Sequence, residues 1–65
     1  MTRYLIRRTD TGDCWDAGSS YEPGREHWTH EHCGTRYDAV SLALMESMRF
    51  ERFKFEVEIV PVEES

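Results

Sequence analysis

Apolar positions first gather in Tyr4-Leu5-Ile6, a run that stops at Arg7-Arg8. These are strand formers, and the pattern predicts a β-strand over 3–9. Asp10-Thr11-Gly12-Asp13 is turn chemistry, with Gly12 able to take a positive φ. Cys14-Trp15-Asp16-Ala17 then alternates as a short return strand, so 3–17 reads as a β-hairpin. Residues 18–24, GSSYEPG, are a loop, and residues 25–36, REHWTHEHCGTR, carry no sustained period and read as an ordered loop or short irregular element.

The period changes at Tyr37. Tyr37, Val40, Leu44 and Met48 fall at i, i+3, i+7 and i+11 with Ala43 beside them, which predicts a helix over 37–49 with that stripe turned to the core. Thr35, three residues before Asp38, has the spacing of a capping box. Asp38, Leu42, Glu46 and Arg49 lie on the opposite side, which leaves Leu42 on the exposed face. Over 53–60 the period becomes two: Phe53, Phe55, Val57 and Ile59 alternate with Lys54, Glu56, Glu58 and Val60, as in a strand with one buried face. Pro61 cannot donate to a ladder, so it ends that strand or sits on a sheet edge. The resulting β-β-loop-α-β order predicts one α+β domain over 1–65: a small antiparallel sheet (β-β-α-β) with one main helix packed on one face.

Length sharpens this. A core built from 65 residues typically supplies only about 3–5 kcal/mol unless a disulfide, a metal or oligomerisation helps. Eight aromatic residues, each able to bury roughly 150–250 Å², are the chain's main apolar resource.

Thirteen acids against eight bases give a net charge of −5. Residues 1–8 carry +3, residues 9–38 carry −5 and residues 39–65 carry −3. Such a surface repels nucleic acid and anionic lipid and attracts basic protein surfaces. No apolar stretch approaches the ~20 residues of a membrane span. The opening MTRYLIRRTD has no signal-peptide core. The expectation is a cytoplasmic, monomeric or weakly associating protein whose Cys14 and Cys33 are thiols.

Three chemistries merit weighing. His27, His30, His32, Cys33 and Cys14 are zinc-type ligands, but their spacing matches no paired Cys-x-x-Cys or His-x3–5-His knuckle. A zinc-stabilised regulatory or interaction domain is therefore the alternative reading, and no cofactor is expected. Cys33 beside His32 is a weak nucleophile–base candidate, because catalysis also needs a cleft that so short a chain hardly builds. The chain is expected not to be an enzyme. Direct nucleic-acid binding would rest on Arg3, Arg7, Arg8, Arg49, Arg52 and Lys54, which have acids nearby to pair with instead.

The acids remain. Asp10, Asp13 and Asp16 sit in or beside the hairpin turn; Glu22, Glu26 and Glu31 in loops; Asp38 and Glu46 on the helix. Glu56 and Glu58 are strand neighbours about 7 Å apart. DNA carries one charge per ~1.7 Å of axis, so carboxylates held at comparable intervals can occupy a groove built for phosphates. Tyr21, Trp28 and Leu42 are apolar anchor candidates beside them.

With its opening MTRYLIRR, its acid-rich middle and its closing SLALMESMRFERFKFEVEIVPVEES, the chain resembles the small phage-encoded anti-CRISPR proteins, in particular an anionic, ferredoxin-like inhibitor of type I-C systems. The resemblance spans essentially all 65 residues but rests on no shared functional motif, so it transfers no individual site residue. It implies a partner: the DNA-recognising subunit of a CRISPR surveillance complex, whose basic groove a DNA mimic would fill before the guide could pair. It also implies a ferredoxin-like fold, of which the pattern displays one helix and three strands rather than two and four.

Overall fold

The computed structural model describes residues 1–18 and 27–64. Its sheet has four antiparallel strands: β1 (Thr2–Arg8), β2 (Cys14–Asp16), β3 (His27–Thr29) and β4 (Val57–Glu63), in the spatial order β3-β2-β1-β4. One α-helix, α1 (Val40–Ser47), continues as a 3-10 turn over Met48–Phe50 and lies across one face. This is the α+β class that the periodicities predict. Three strands precede the helix, which is not the β-α-β-β-α-β order of a ferredoxin-like fold.

The hairpin forms as its turn chemistry dictates. Gly12 takes φ +80°, donating its N–H to the Arg8 carbonyl at 3.0 Å, and Arg8 N–H donates to Asp13 O at 2.8 Å. The segment 25–36 is more ordered than its sequence implies. It contributes β3, paired with β2 through Cys14↔Thr29, Trp15↔Trp28 and Asp16↔His27, and then a 3-10 turn over Glu31–Cys33. A three-residue strand holding only one large apolar side chain has too few positions to establish a period.

The final strand is displaced from its expected position. β4 covers Val57–Glu63 rather than 53–60, and Phe53 and Phe55 lie in the turn before it. Pro61 falls inside the strand, directly opposite Tyr4. Tyr4 spends both backbone groups on Tyr37, each bond 2.9 Å, on the side away from β4. Pro61 therefore occupies a non-hydrogen-bonded pair on an edge strand, where its missing N–H breaks no ladder bond.

The helix also departs from its expected course. It starts at Val40 with Ala39 as its N-cap and no side-chain cap. The Thr35–Asp38 capping box does not form: Thr35 Oγ1 accepts the Ala17 N–H at 2.8 Å, and Asp38 turns to Arg3. More importantly, only part of the predicted core stripe is inside: Tyr37 and Ala43 pack into the core, and the rest of the stripe faces outward. Val40, Leu44 and Met48 are exposed, while Ala43 and Phe50 are buried. The reason is volume. Trp15 and Trp28 on the sheet and Phe55 before β4 already fill the layer beneath the helix. Only a small side chain such as Ala43 lets α1 sit close, and Phe50 closes the end with its ring 4.8 Å from Trp15 and 5.0 Å from Trp28. Leu42 is exposed, as its position predicts.

Leu5, Ile6 and Cys14 are fully buried, so both faces of the central strands are covered. Ile6 joins the aromatic layer under the helix. Leu5 and Cys14 are covered by the chain at Gly34, where an added Cβ would lie 2.9 Å from Cys14 Cβ and 3.2 Å from a Leu5 methyl. That approach requires a residue without a side chain, although φ at Gly34 is an ordinary −67°.

Candidate functional site

Neighbouring strand residues point to opposite faces, and Arg7 and Arg8 show the consequence. Arg7 turns to the face of Glu58, its cross-strand partner, with Nη2 2.5 Å from Oε1. Arg8 turns to the aromatic face, its guanidinium 3.9 Å from the centre of the Phe55 ring and 5.6 Å from that of Trp28, while Nη2 holds Asp10 at 2.6 Å. Hydrogen bonding to Glu58 raises the Arg7 pKa, and hydrogen bonding to Asp10 raises that of Arg8. The Arg8 bond holds the Asp10 carboxyl below its ordinary range.

The expected contact acids separate into groups. Glu22 and Glu26, with the anchor candidate Tyr21, lie outside the described residues. Asp10, Asp13, Glu31, Glu56 and Glu58 collect around the hairpin end of the sheet. Glu56 reaches it through its carbonyl, which accepts the Thr9 N–H at 3.0 Å. Glu31 and Asp13 lie near enough to Cys14 to act on it electrostatically: burial pushes its thiol pKa up, and their negative charges add to the effect. Asp38 is at the other end of β1, with Arg3 Nε 3.3 Å away. Asp16 stands beside His27 at 3.9 Å, and Glu46 takes Arg49 at 2.5 Å on the helix.

The eight described acids therefore do not form one continuous display. Asp10, Asp38, Glu46 and Glu58 each have an arginine nitrogen within 3.3 Å. At the far end Arg3 and Arg36 serve Asp38 and Glu64, and the Glu63 carboxylate accepts the Thr2 hydroxyl. At the hairpin end Arg7 takes Glu58 and Arg8 takes Asp10. Among the described residues no ion pair engages the side chains of Asp13, Glu31 and Glu56.

The two cysteines differ in exposure. Cys14 is buried beneath Gly34 and Cys33 is exposed. The 3-10 turn brings His30 Nε2 to 3.9 Å from the Cys33 Sγ. Among the described residues no group of three or more His, Cys, Asp or Glu side chains is placed to hold a metal.

Sequence reasoning missed the aromatic surface. Phe50 and Phe53 separate two open hollows of about 440 and 430 Å³, one reaching Phe55 and Glu51, the other Trp15, Trp28 and Arg49. Both open to solvent rather than enclosing a substrate. Trp28, expected as an exposed anchor, packs into this cluster, 5.2 Å from Trp15 and 5.4 Å from Phe55. The signal was the aromatic spacing across 50–55, which reads equally well as a strand. No helix among the described residues is long and apolar enough to cross a membrane. Compared with known protein families, curated proteins and solved structures, the chain matches none.

Proposed function

We propose that the chain is a binding protein without catalytic activity, and that its hairpin end engages a basic protein surface. The observation that supports this is the gathering of Asp10, Asp13, Glu31 and Glu58 about Arg7 and Arg8, with Glu56 just before β4 bonded through its backbone to Thr9. Carboxylates positioned in this way make charge-assisted, often bidentate bonds to arginine and raise association rates at low salt.

The resemblance to anti-CRISPR inhibitors supplies the partner: the DNA-engaging groove of a type I surveillance complex in the bacterial cytoplasm. RNA-guided effectors read a short adjacent motif by protein contacts before base pairing begins, so an acidic domain seated there blocks the target at its first step. The mimicry proposed is narrower than ten evenly spaced acids. It is a compact end with three carboxylates not paired to arginine, flanked by two that are.

The test is competition for target DNA by purified effector across a salt series. Inhibition that weakens with rising salt, and that is lost when Asp13, Glu31 and Glu56 are changed together to lysine, supports the reading. Inhibition indifferent to salt and to that triple change would falsify it, as would failure to bind the effector at all.

A further inference from the structure

The hollow of about 440 Å³ beside Phe50 is lined by aromatic rings and carboxylates together. Phe50, Phe53 and Phe55 line it with ring centres 5.9, 6.3 and 5.3 Å apart and planes tilted by 43°, 37° and 45°. The charged groups of the lining are Glu51 and Glu56, both acids. Arg52 and Lys54 belong to the same turn but are not part of that lining, and among the described residues no ion pair engages Glu51 or Glu56.

The chain itself shows what rings and a carboxylate hold between them. The Arg8 guanidinium lies 3.9 Å from the centre of the Phe55 ring while its Nη2 meets Asp10 at 2.6 Å. The negative face of the ring attracts the cation, and the carboxylate adds a charge-assisted bond. Arg8 does not line the hollow, so the same combination recurs there with no cationic side chain of the described residues in it.

We infer that this hollow receives an arginine side chain presented by the basic partner surface. The inference rests on the proposed binding role and adds an anchor to it, because Glu56 joins the hollow to the hairpin end through the bond between its carbonyl and Thr9. Openness decides that the occupant arrives on a protein. Pockets for free small ligands bury about 70–90% of the ligand, whereas this hollow is open to solvent, and a docked partner supplies its own second wall. Charge decides the sign. An anion would meet two carboxylates, and a purely apolar side chain would strip water from them without replacing its bonds. Shape favours arginine over lysine, since a planar guanidinium lies on a ring and still turns its N–H groups to carboxylates at the edge. Phe53, 53% exposed, offers the most accessible of the three rings.

Phe53 contributes a ring and no charge, which makes it the position to test. Phe53→Leu keeps an apolar side chain at an exposed site, so the circular dichroism spectrum and thermal midpoint should hold. Affinity for the purified effector should fall about fivefold with its salt dependence unchanged. Phe53→Tyr returns a ring and should return the affinity. Glu51→Gln, which leaves the hairpin-end acids intact, should weaken binding and flatten the salt dependence. Wild-type affinity in Phe53→Leu or in Glu51→Gln, or a Phe53→Tyr as weak as Phe53→Leu, would overturn the inference and leave the hairpin-end role standing. A chain that never binds the effector removes that role, and a small probe then decides the hollow by itself. At millimolar concentration N-acetyl-arginine methylamide should shift the Phe53 and Phe55 ring resonances in the NMR spectrum, and its uncharged citrulline analogue should not. Rings unmoved by the arginine probe, or moved equally by both, would overturn the inference.

Discussion

Arg7 and Glu58 stand directly opposite each other across β1 and β4, with two hydrogen bonds of 2.8 and 2.5 Å converging on Glu58 Oε1. Their cross-strand register turns a residue that ends an apolar run into the guanidinium that offsets one of five clustered carboxylates. The pair is partly exposed, so its effect on stability is small. Its effect on surface charge is direct. Arg7→Gln removes a positive charge beside Glu58 and should increase retention on an anion-exchange column and tighten binding to a basic partner. Unchanged partner affinity with intact fold would dissociate binding from this end of the sheet.

Phe50 closes the aromatic layer between Trp15 and Trp28. Phe50→Ala removes that plug at a typical cost of about 3–5 kcal/mol, the same as the whole stability expected for a domain this size. Urea denaturation should find the variant largely unfolded at 25 °C. A cooperative transition with a near wild-type midpoint would mean that the hollows on either side can collapse to fill the space.

Gly34→Ala tests close approach rather than backbone strain. The new methyl would meet Cys14 Cβ at 2.9 Å, and both groups are fixed by strand and turn. Overpacking of this kind costs about 1–3 kcal/mol, read as a lower urea midpoint at unchanged slope. A midpoint equal to wild type would show that the 30–34 segment lifts freely from the sheet.

Alkaline pH acts on Tyr37, whose hydroxyl is buried without a hydrogen-bond partner among the described residues. Burial, with the charge of Glu46 adding, pushes its pKa up from 10.0 to about 12. Between those values the unfolded chain has released a proton that the folded chain retains. The stabilisation is therefore complete below pH 10 and is lost as pH rises through about 12. Tyr37→Phe should be neutral to slightly stabilising at pH 7, because no bond is lost, and should flatten this share of the alkaline decline. Paired urea midpoints for the two proteins at neutral and alkaline pH measure the difference; parallel declines would exclude Tyr37 as the cause.

The two thiols should separate cleanly under a thiol reagent. Cys33 is exposed and should label at once in the native protein, whereas Cys14 is fully buried with its pKa raised and should label only through unfolding. Simultaneous labelling of both would contradict the placement of Gly34 over Cys14.

Local signals in the chain determined its local structure. The Tyr4-Leu5-Ile6 run, the Gly12 turn and the period change at Tyr37 specified the hairpin, the helix and the α+β class, because each depends on neighbours a few residues apart. Pro61 was legible as an edge residue for the same reason. Tertiary structure decided which side of α1 is inside. Helical spacing marks an apolar stripe, but the volume already occupied by Trp15, Trp28 and Phe55 kept only Tyr37 and Ala43 of it inside and turned Val40, Leu44 and Met48 to solvent. It also decided which acids remain uncompensated. Charge is a property of residues, but its cancellation depends on distances between strands, and only the β1–β4 register set Arg7 against Glu58, while among the described residues the side chains of Asp13, Glu31 and Glu56 make no ion pair.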